Sequence, residues 1–250
     1  VSLISIFVVC LLYFVTSVFS VSVGGTSLIT VPLLMSFGMT PKNAVATNMF
    51  ALIFLSISGA IRFKKEIRIT HSKMIFFFCM LTICGSIIGA NLVLAIDENL
   101  LDKMIAIMIC VIALSFFLKR ELGIQRRKEK ISKMRFVTGA LLIFILGIYG
   151  GFFSGGYVTL LSYVLILTFG LNFLQVAFVT KIFNIFSSLV ACAFFYYHSL
   201  IEFHVGVPLA VSASLGAVLG ATLAIRKGNL WVRKVFLIAA MVLAVKLLFL

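Results

Sequence analysis

Lys181 is the residue with the most chemistry to explain. It lies nine residues into an uninterrupted apolar run, 173–197, with Thr180 beside it and Asn184 one helical turn away. An ionisable side chain at that depth in a bilayer costs on the order of a few kcal/mol and marks a functional site by default. The seven carboxylates (Glu66, Asp97, Glu98, Asp102, Glu121, Glu129 and Glu202) all fall at or near the ends of apolar runs. None of them is placed to neutralise Lys181. A buried ammonium without a carboxylate needs an anion, a lost proton or several carbonyls, and an anionic ligand meets that need best.

Two further clusters could supply the rest of an anion site. Ser22-Val23-Gly24-Gly25-Thr26-Ser27 and Phe153-Ser154-Gly155-Gly156-Tyr157-Val158-Thr159 interrupt apolar runs of about 35 residues, 3–37 and 136–169. A straight helix of that length would span roughly 52 Å, well beyond one bilayer. Each run therefore reads as two helical pieces joined at its glycine pair, where glycine permits the turn and close approach. Inside hydrocarbon, backbone leaves the helical form only where protein or a cavity shelters it. Helix starts at Thr26–Ser27 and Tyr157–Thr159 would point free N–H groups, with hydroxyls beside them, at an anion. The competing reading gives the glycines to close helix packing and bonds the hydroxyls back to their own helices.

These clusters recur. Gly24-Gly25 precedes Gly155-Gly156 by 131 residues, and Ala44-x-x-Thr47-Asn48-x-Phe50 precedes Ala177-x-x-Thr180-Lys181-x-Phe183 by 133. The residues singled out for ligand binding are Gly24, Gly25, Thr26, Thr47, Asn48, Gly155, Gly156, Thr180, Lys181 and Asn184. Discontinuous helices at matching places in two repeats are the pattern of secondary transporters.

The elements that must hold these residues are set by composition. Of 250 residues, 63% are hydrophobic and only 11% charged, with 26 Phe and a mean hydropathy of +1.25. A water-facing surface needs about 25% charged residues, so soluble, disordered and disulfide-stapled classes are excluded. The chain is expected to be an all-α polytopic membrane protein. The N-terminal run has no basic start and is too long for a signal peptide, so it is expected to be a membrane segment. The five Cys lie in apolar segments without a CxxC pair, and act as packing residues. His198, Glu202 and His204 match no zinc spacing. No Walker, GxSxG or Rossmann motif occurs, so no enzyme activity and no cofactor are expected. Coupling to Na⁺ or H⁺ stays open, because carbonyls and hydroxyls at the breaks could bind a cation.

The net charge of +14 comes from basic residues gathered between the apolar runs. Residues 62–73 and 119–135 are strongly basic and should be cytoplasmic, whereas Asp97, Glu98 and Asp102 should be outside. Arg226, Lys227, Arg233 and Lys234 also call for the inside, at the place that corresponds to that acidic loop. The two repeats then face opposite ways. The expected organisation is a first membrane repeat over 1–118, a basic cytoplasmic linker over 119–135 and a second repeat over 136–250. It gives ten helical pieces in inverted repeats, with both termini outside, if each broken segment makes two passes. Re-entry of the short piece 27–37 and eight helices in parallel repeats are the alternatives. The basic loops would meet anionic lipids, and the apolar helix faces leave the oligomeric state unspecified.

The stretch Gly24-Gly25-Thr26-Ser27-Leu28-Ile29-Thr30-Val31-Pro32-Leu33-Leu34, then Gly38, then Ala44-Val45-Ala46-Thr47-Asn48, resembles the sulfite exporter TauE/SafE family. Gly155-Gly156 through Thr180-Lys181 is a degenerate echo of it. Thr26 and Tyr157 stand where the family pattern often has a third glycine, and Tyr163 stands where the first repeat has Pro32. The resemblance covers essentially the whole chain. It implies two repeated halves and movement of sulfite or an organosulfonate across the plasma (inner) membrane, usually outward. It also implies ligand contacts at Gly24, Gly25, Thr26, Thr47, Asn48, Gly155, Gly156, Thr180 and Lys181. The rival readings are an uptake permease for another small anion, a channel, and a non-transporting membrane assembly protein.

Overall fold

The computed structural model describes residues 3–65, 67, 72–115 and 132–248. Most of the basic linker expected at 119–135 lies outside these residues. The described chain is all helical: α1 (Leu3–Val23), α2 (Thr26–Ser36), α3 (Pro41–Lys64), α4 (Ser72–Ala95), α5 (Glu98–Ser115), α6 (Lys133–Phe152), α7 (Tyr157–Phe169), α8 (Phe173–Tyr197) and α9 (Phe203–Leu248). Gly228, at φ 74 and ψ −172, divides α9 into two segments. Among the described residues, five stretches are long and apolar enough to cross a membrane: Pro41–Lys64, Lys73–Ala95, Lys133–Phe152, Phe173–Tyr197 and Phe203–Gly228.

Local chemistry sets the helix starts. Thr40 caps α3, accepting from the Asn43 N–H at 3.4 Å, with Pro41 in the first turn where its missing N–H costs nothing. α8 opens with a reciprocal capping box: Asn172 accepts from the Gln175 N–H at 2.9 Å, and the Asn172 N–H donates to the Gln175 side chain at 3.3 Å. Gly170, at φ 64, closes α7.

Contacts fix the helix directions. α3 and α8 run antiparallel through the centre, since Asn184 meets Ser56, Lys181 meets Gly59 and Ser188 meets Met49. α1 runs parallel to α3, with Tyr13 at Asn48 and Val21 at Gly59. α2 then folds back along α1: Ser20 meets Thr26, and Tyr13 and Thr30 reach the same Asn48 oxygen. α6 and α7 make a second hairpin, with Gly139 against Phe169 and Gly150 against Tyr157. The returning arms have 11 and 13 residues, about 16 and 20 Å of helix against a hydrocarbon core of about 30 Å. Each returning arm is thus shorter than one full pass, the length at which the short piece 27–37 is expected either to cross or to re-enter.

Two close parallel crossings bind the hairpins to the bundle. In α4, Gly85 and Gly89 lie on the carbonyls of Phe144 and Ile148 in α6; in α9, Gly216 and Gly220 lie on those of Phe14 and Val18 in α1. Both are small-xxx-small seams, which let helix backbones approach where lipid offers no hydrophobic drive. The helix-pair contacts thus have internal symmetry: α1 pairs with the first segment of α9 as α6 pairs with α4. A Cβ added at Gly89 or Gly220 would run into carbonyl oxygen. Gly89→Ala and Gly220→Ala should each cost about 1–3 kcal/mol, read as a lowered unfolding temperature in detergent. Gly206→Ala, whose Cβ would meet the Phe50 ring edge at 3.1 Å, should cost less.

Candidate functional site: two helix breaks that meet

The tips of the two hairpins touch. Gly24 and Gly25 adopt φ 87 and 90, Ser154 and Gly156 adopt φ 61 and 76, and Gly25 and Gly156 are the N-cap positions of α2 and α7. A Cβ on Gly24 would stand 2.7 Å from the Val158 Cβ and 3.0 Å from the Thr159 nitrogen, so the first break packs backbone-close on the start of α7. Neither α2 nor α7 has a side-chain cap. Their opening N–H groups, with the partial positive charge of a helix N-terminus, lie inside the protein. The Ser22 hydroxyl, 4% exposed, has no hydrogen-bond partner.

Lys181 comes from α8 to the last turn of α1, just before the first break. Its aliphatic stem lies on Gly59 of α3, with Cγ and Cδ each 3.6 Å from the position of a Cβ there, and Val21 closes on the same glycine. Lys181 is 2% exposed, and no described residue accepts a hydrogen bond from its amine or pairs with it. Asn184, one turn on, donates to the Ser56 hydroxyl at 2.7 Å and accepts from the Ser154 hydroxyl at 3.4 Å, which ties α8 to the second break and to α3. The Gly155 carbonyl accepts from the Tyr149 hydroxyl, so that break is held by its own hairpin.

Other expected residues are committed to the scaffold. Asn48 accepts from Tyr13 and from Thr30, both at 2.7 Å, and donates to Ser27 at 2.9 Å, locking α1 and α2 to α3. Thr26 shares a hydrogen with Ser20 across 2.5 Å. Thr47 faces away from the breaks and accepts from the Glu202 N–H at 3.0 Å, before α9. The same turn is held by Asn43, which donates to the Glu202 carboxylate at 3.1 Å. Thr180 bonds back to the Ala177 carbonyl at 3.2 Å. The structure therefore brings Gly24, Gly25, Gly155, Gly156, Lys181 and Asn184 together around the two breaks, and places Thr26 and Asn48 behind the first. Ser56 and Gly59 escaped the sequence reading. Their signal was a small and a polar residue on one face of α3, facing α8.

Among the described residues no group of His, Cys, Asp or Glu could hold a metal. A multi-pass helical bundle in which two broken helices meet, with an unpaired buried lysine close by, is an architecture found in membrane transporters. The sulfite exporter TauE/SafE family model matches residues 9–247, and the chain belongs to that family: a multi-pass transporter of the plasma membrane, not an enzyme. The chain is similar to a probable membrane transporter protein of Haemophilus influenzae, 30% identical over 236 residues, which cover 94% of this chain and 91% of that protein. It is similar also to the probable membrane transporter protein YfcA of Escherichia coli, 29% identical over 230 residues, 90% of this chain and 83% of the other. A probable membrane transporter protein of Sinorhizobium, ORF9, is 24% identical over 225 residues, 90% and 85% of the two chains. No solved structure matches.

Two substitutions test this geometry. Asn48→Ala removes the side-chain acceptor shared by Tyr13 and Thr30 and the donor to Ser27, leaving Thr30 only its bond to the Thr26 carbonyl at 3.0 Å and Tyr13 only a 3.4 Å contact with the carbonyl of residue 48, and should lower stability by about 2 kcal/mol, seen in thermal unfolding. Gly24→Ala combines a left-handed φ with a clash on Val158, and should lower stability by about 2–3 kcal/mol in the same assay.

Proposed function

We propose that the chain moves a small sulfur-containing anion, sulfite or an organosulfonate, outward across the plasma membrane by alternating access. The observation that carries this reading is the unpaired ammonium of Lys181, buried beside a helix break. In the reading, Gly25, Thr26, Gly155 and Gly156 offer N–H donors at the starts of α2 and α7, and Gly24, whose own N–H goes to the Ser20 carbonyl at 2.6 Å, lines the site. Lys181 supplies the countercharge and Asn184 a further donor or acceptor. Asn48, Thr47 and Thr180 hold the surrounding helices in register. The matching family is described as a sulfite exporter, which supports the substrate class.

The moving parts would be two inverted repeats, 1–118 and 136–250, each opening with a glycine-broken hairpin, joined by a cytoplasmic linker at 119–135. The antiparallel α3 and α8, which occupy corresponding places, support that inversion. Rocking of one repeat against the other would expose the tips to each side in turn. An inside-negative potential favours outward anion movement by about 2.3 kcal/mol per charge per 100 mV. The basic loops would hold anionic lipid headgroups on the cytoplasmic side.

Binding of sulfite, sulfoacetate, taurine, sulfate and thiosulfate to the purified protein tests the reading. Saturable binding of sulfite or a sulfonate should weaken at least about thirtyfold in Lys181→Ala, corresponding to about 2 kcal/mol, and be partly kept in Lys181→Arg. A folded Lys181→Ala that binds the same anion unchanged overturns the site. Counterflow in vesicles of known orientation then gives the direction.

A further inference from the structure

The last two turns of α6 are ringed by hydroxyls from three other helices. The Ser86 hydroxyl of α4 lies 3.1 Å from the Gly147 carbonyl and 2.8 Å from the Ser187 hydroxyl of α8. Thr82, one turn earlier in α4, and Tyr157, the first residue of α7, carry fully buried hydroxyls that lie beside each other, and no other described residue bonds to either. The Tyr157 ring and the Ser187 hydroxyl both press on Gly150, where a Cβ would meet them at 3.1 and 3.0 Å; the Thr82 backbone lies 3.0 Å from the Cβ position of Gly147. The hydroxyls therefore converge on one face of α6.

That face belongs to a helix that stops inside the protein. The N–H groups of Phe153 and Ser154 both donate to the Tyr149 carbonyl, at 3.0 and 3.4 Å, and no described backbone N–H beyond the helix reaches the carbonyls of Gly150, Gly151 or Phe152. A helix C-terminus carries partial negative charge. Hydroxyl and carbonyl oxygens there are hard ligands, and without a carboxylate they suit a cation of single charge. Broken transporter helices bind Na⁺ with such groups.

Packing alone does not call for these oxygens. When Gly85 and Gly89 are registered on Gly216 and Gly220, 131 residues on, the positions of Thr82 and Ser86 fall on Ala213 and Ala217, both fully buried. The pair Gly150 and Tyr157 falls on Ser20 and Thr26, whose hydroxyls bond each other. That hydroxyl pair is closed in the first hairpin, whose open hydroxyls are instead those of Ser17 and Ser22.

We propose that the hydroxyls of Thr82, Ser86, Tyr157 and Ser187, with the terminal carbonyls of α6, form a Na⁺ site. It deepens the transport reading, on which its role as a coupling site rests. Asn184, three residues before Ser187 on α8, bonds to Ser154 at the break, so occupancy of one site orders a wall of the other. Cation and anion binding are thereby linked in both directions.

Thermal unfolding of the purified protein tests the site with no sulfur anion present, NaCl being exchanged for KCl or choline chloride at constant ionic strength. Na⁺ should raise the unfolding temperature saturably above both controls. Thr82→Val and Tyr157→Phe, which keep the side-chain shapes, should weaken the apparent Na⁺ affinity about tenfold or more. A wild type with no cation-specific shift, the result a structural water would give, overturns the site; so does an unchanged Na⁺ response in Thr82→Val or, should that variant not fold, in Tyr157→Phe. Na⁺ stabilisation with no anion binding would leave the cation site standing and remove the transport reading. Anion binding with no Na⁺ effect would do the reverse.

Discussion

A peptide group inside hydrocarbon must find its hydrogen-bond partner within the protein, and the rest of this structure follows from that demand. A helix that ends at mid-depth leaves N–H or C=O groups open, so two such ends are tolerated only where other helices enclose them. Here α1 and α6 stop at the centre, and α2 and α7 start there. The long helices α3 and α8 cross beside the tips and keep lipid away. Gly24 on Val158 is the point where the two interruptions shelter one another.

Around that point the framework is nearly two-fold while the chemistry is not. Asn48 and Lys181 occupy corresponding places in α3 and α8. Asn48 spends its amide on Tyr13, Thr30 and Ser27 and clamps a hairpin; Lys181 has no partner for its amine among the described residues, in a setting just as buried. The contrast at Ser20–Thr26 and Gly150–Tyr157 has the same character: a closed hydroxyl pair on one side, an aromatic ring seated on glycine and an open hydroxyl on the other.

Much of this was legible in the sequence because hydrocarbon leaves few options. Runs of apolar residues near 35 long cannot be single helices, and the glycine pairs within them mark where the chain turns. Lys181 announced itself by depth alone. The directions of individual side chains were not legible. Thr47 and Asn48 are neighbours, yet a helix turns about 100° between them, so one reaches the start of α9 and the other the α1–α2 hairpin. Ser56 gains its meaning only from Asn184, 128 residues away. The glycine spacings in α4 and α9 were present as pattern, but their partners are backbone carbonyls, which leave no signature in residue types.

Pairing α1 with α9 also has a consequence for biogenesis. Val18 rests on Gly220, and translation at about 5–20 residues per second separates the two by roughly 10–40 s. Throughout that interval the first hairpin stands in the membrane without its principal neighbour, its Tyr13, Ser27 and Thr30 hydroxyls held by Asn48. The polar lock on α3 is in place before α7, α8 and α9 are made, and loss of it should show first in yield from the ribosome and insertion machinery.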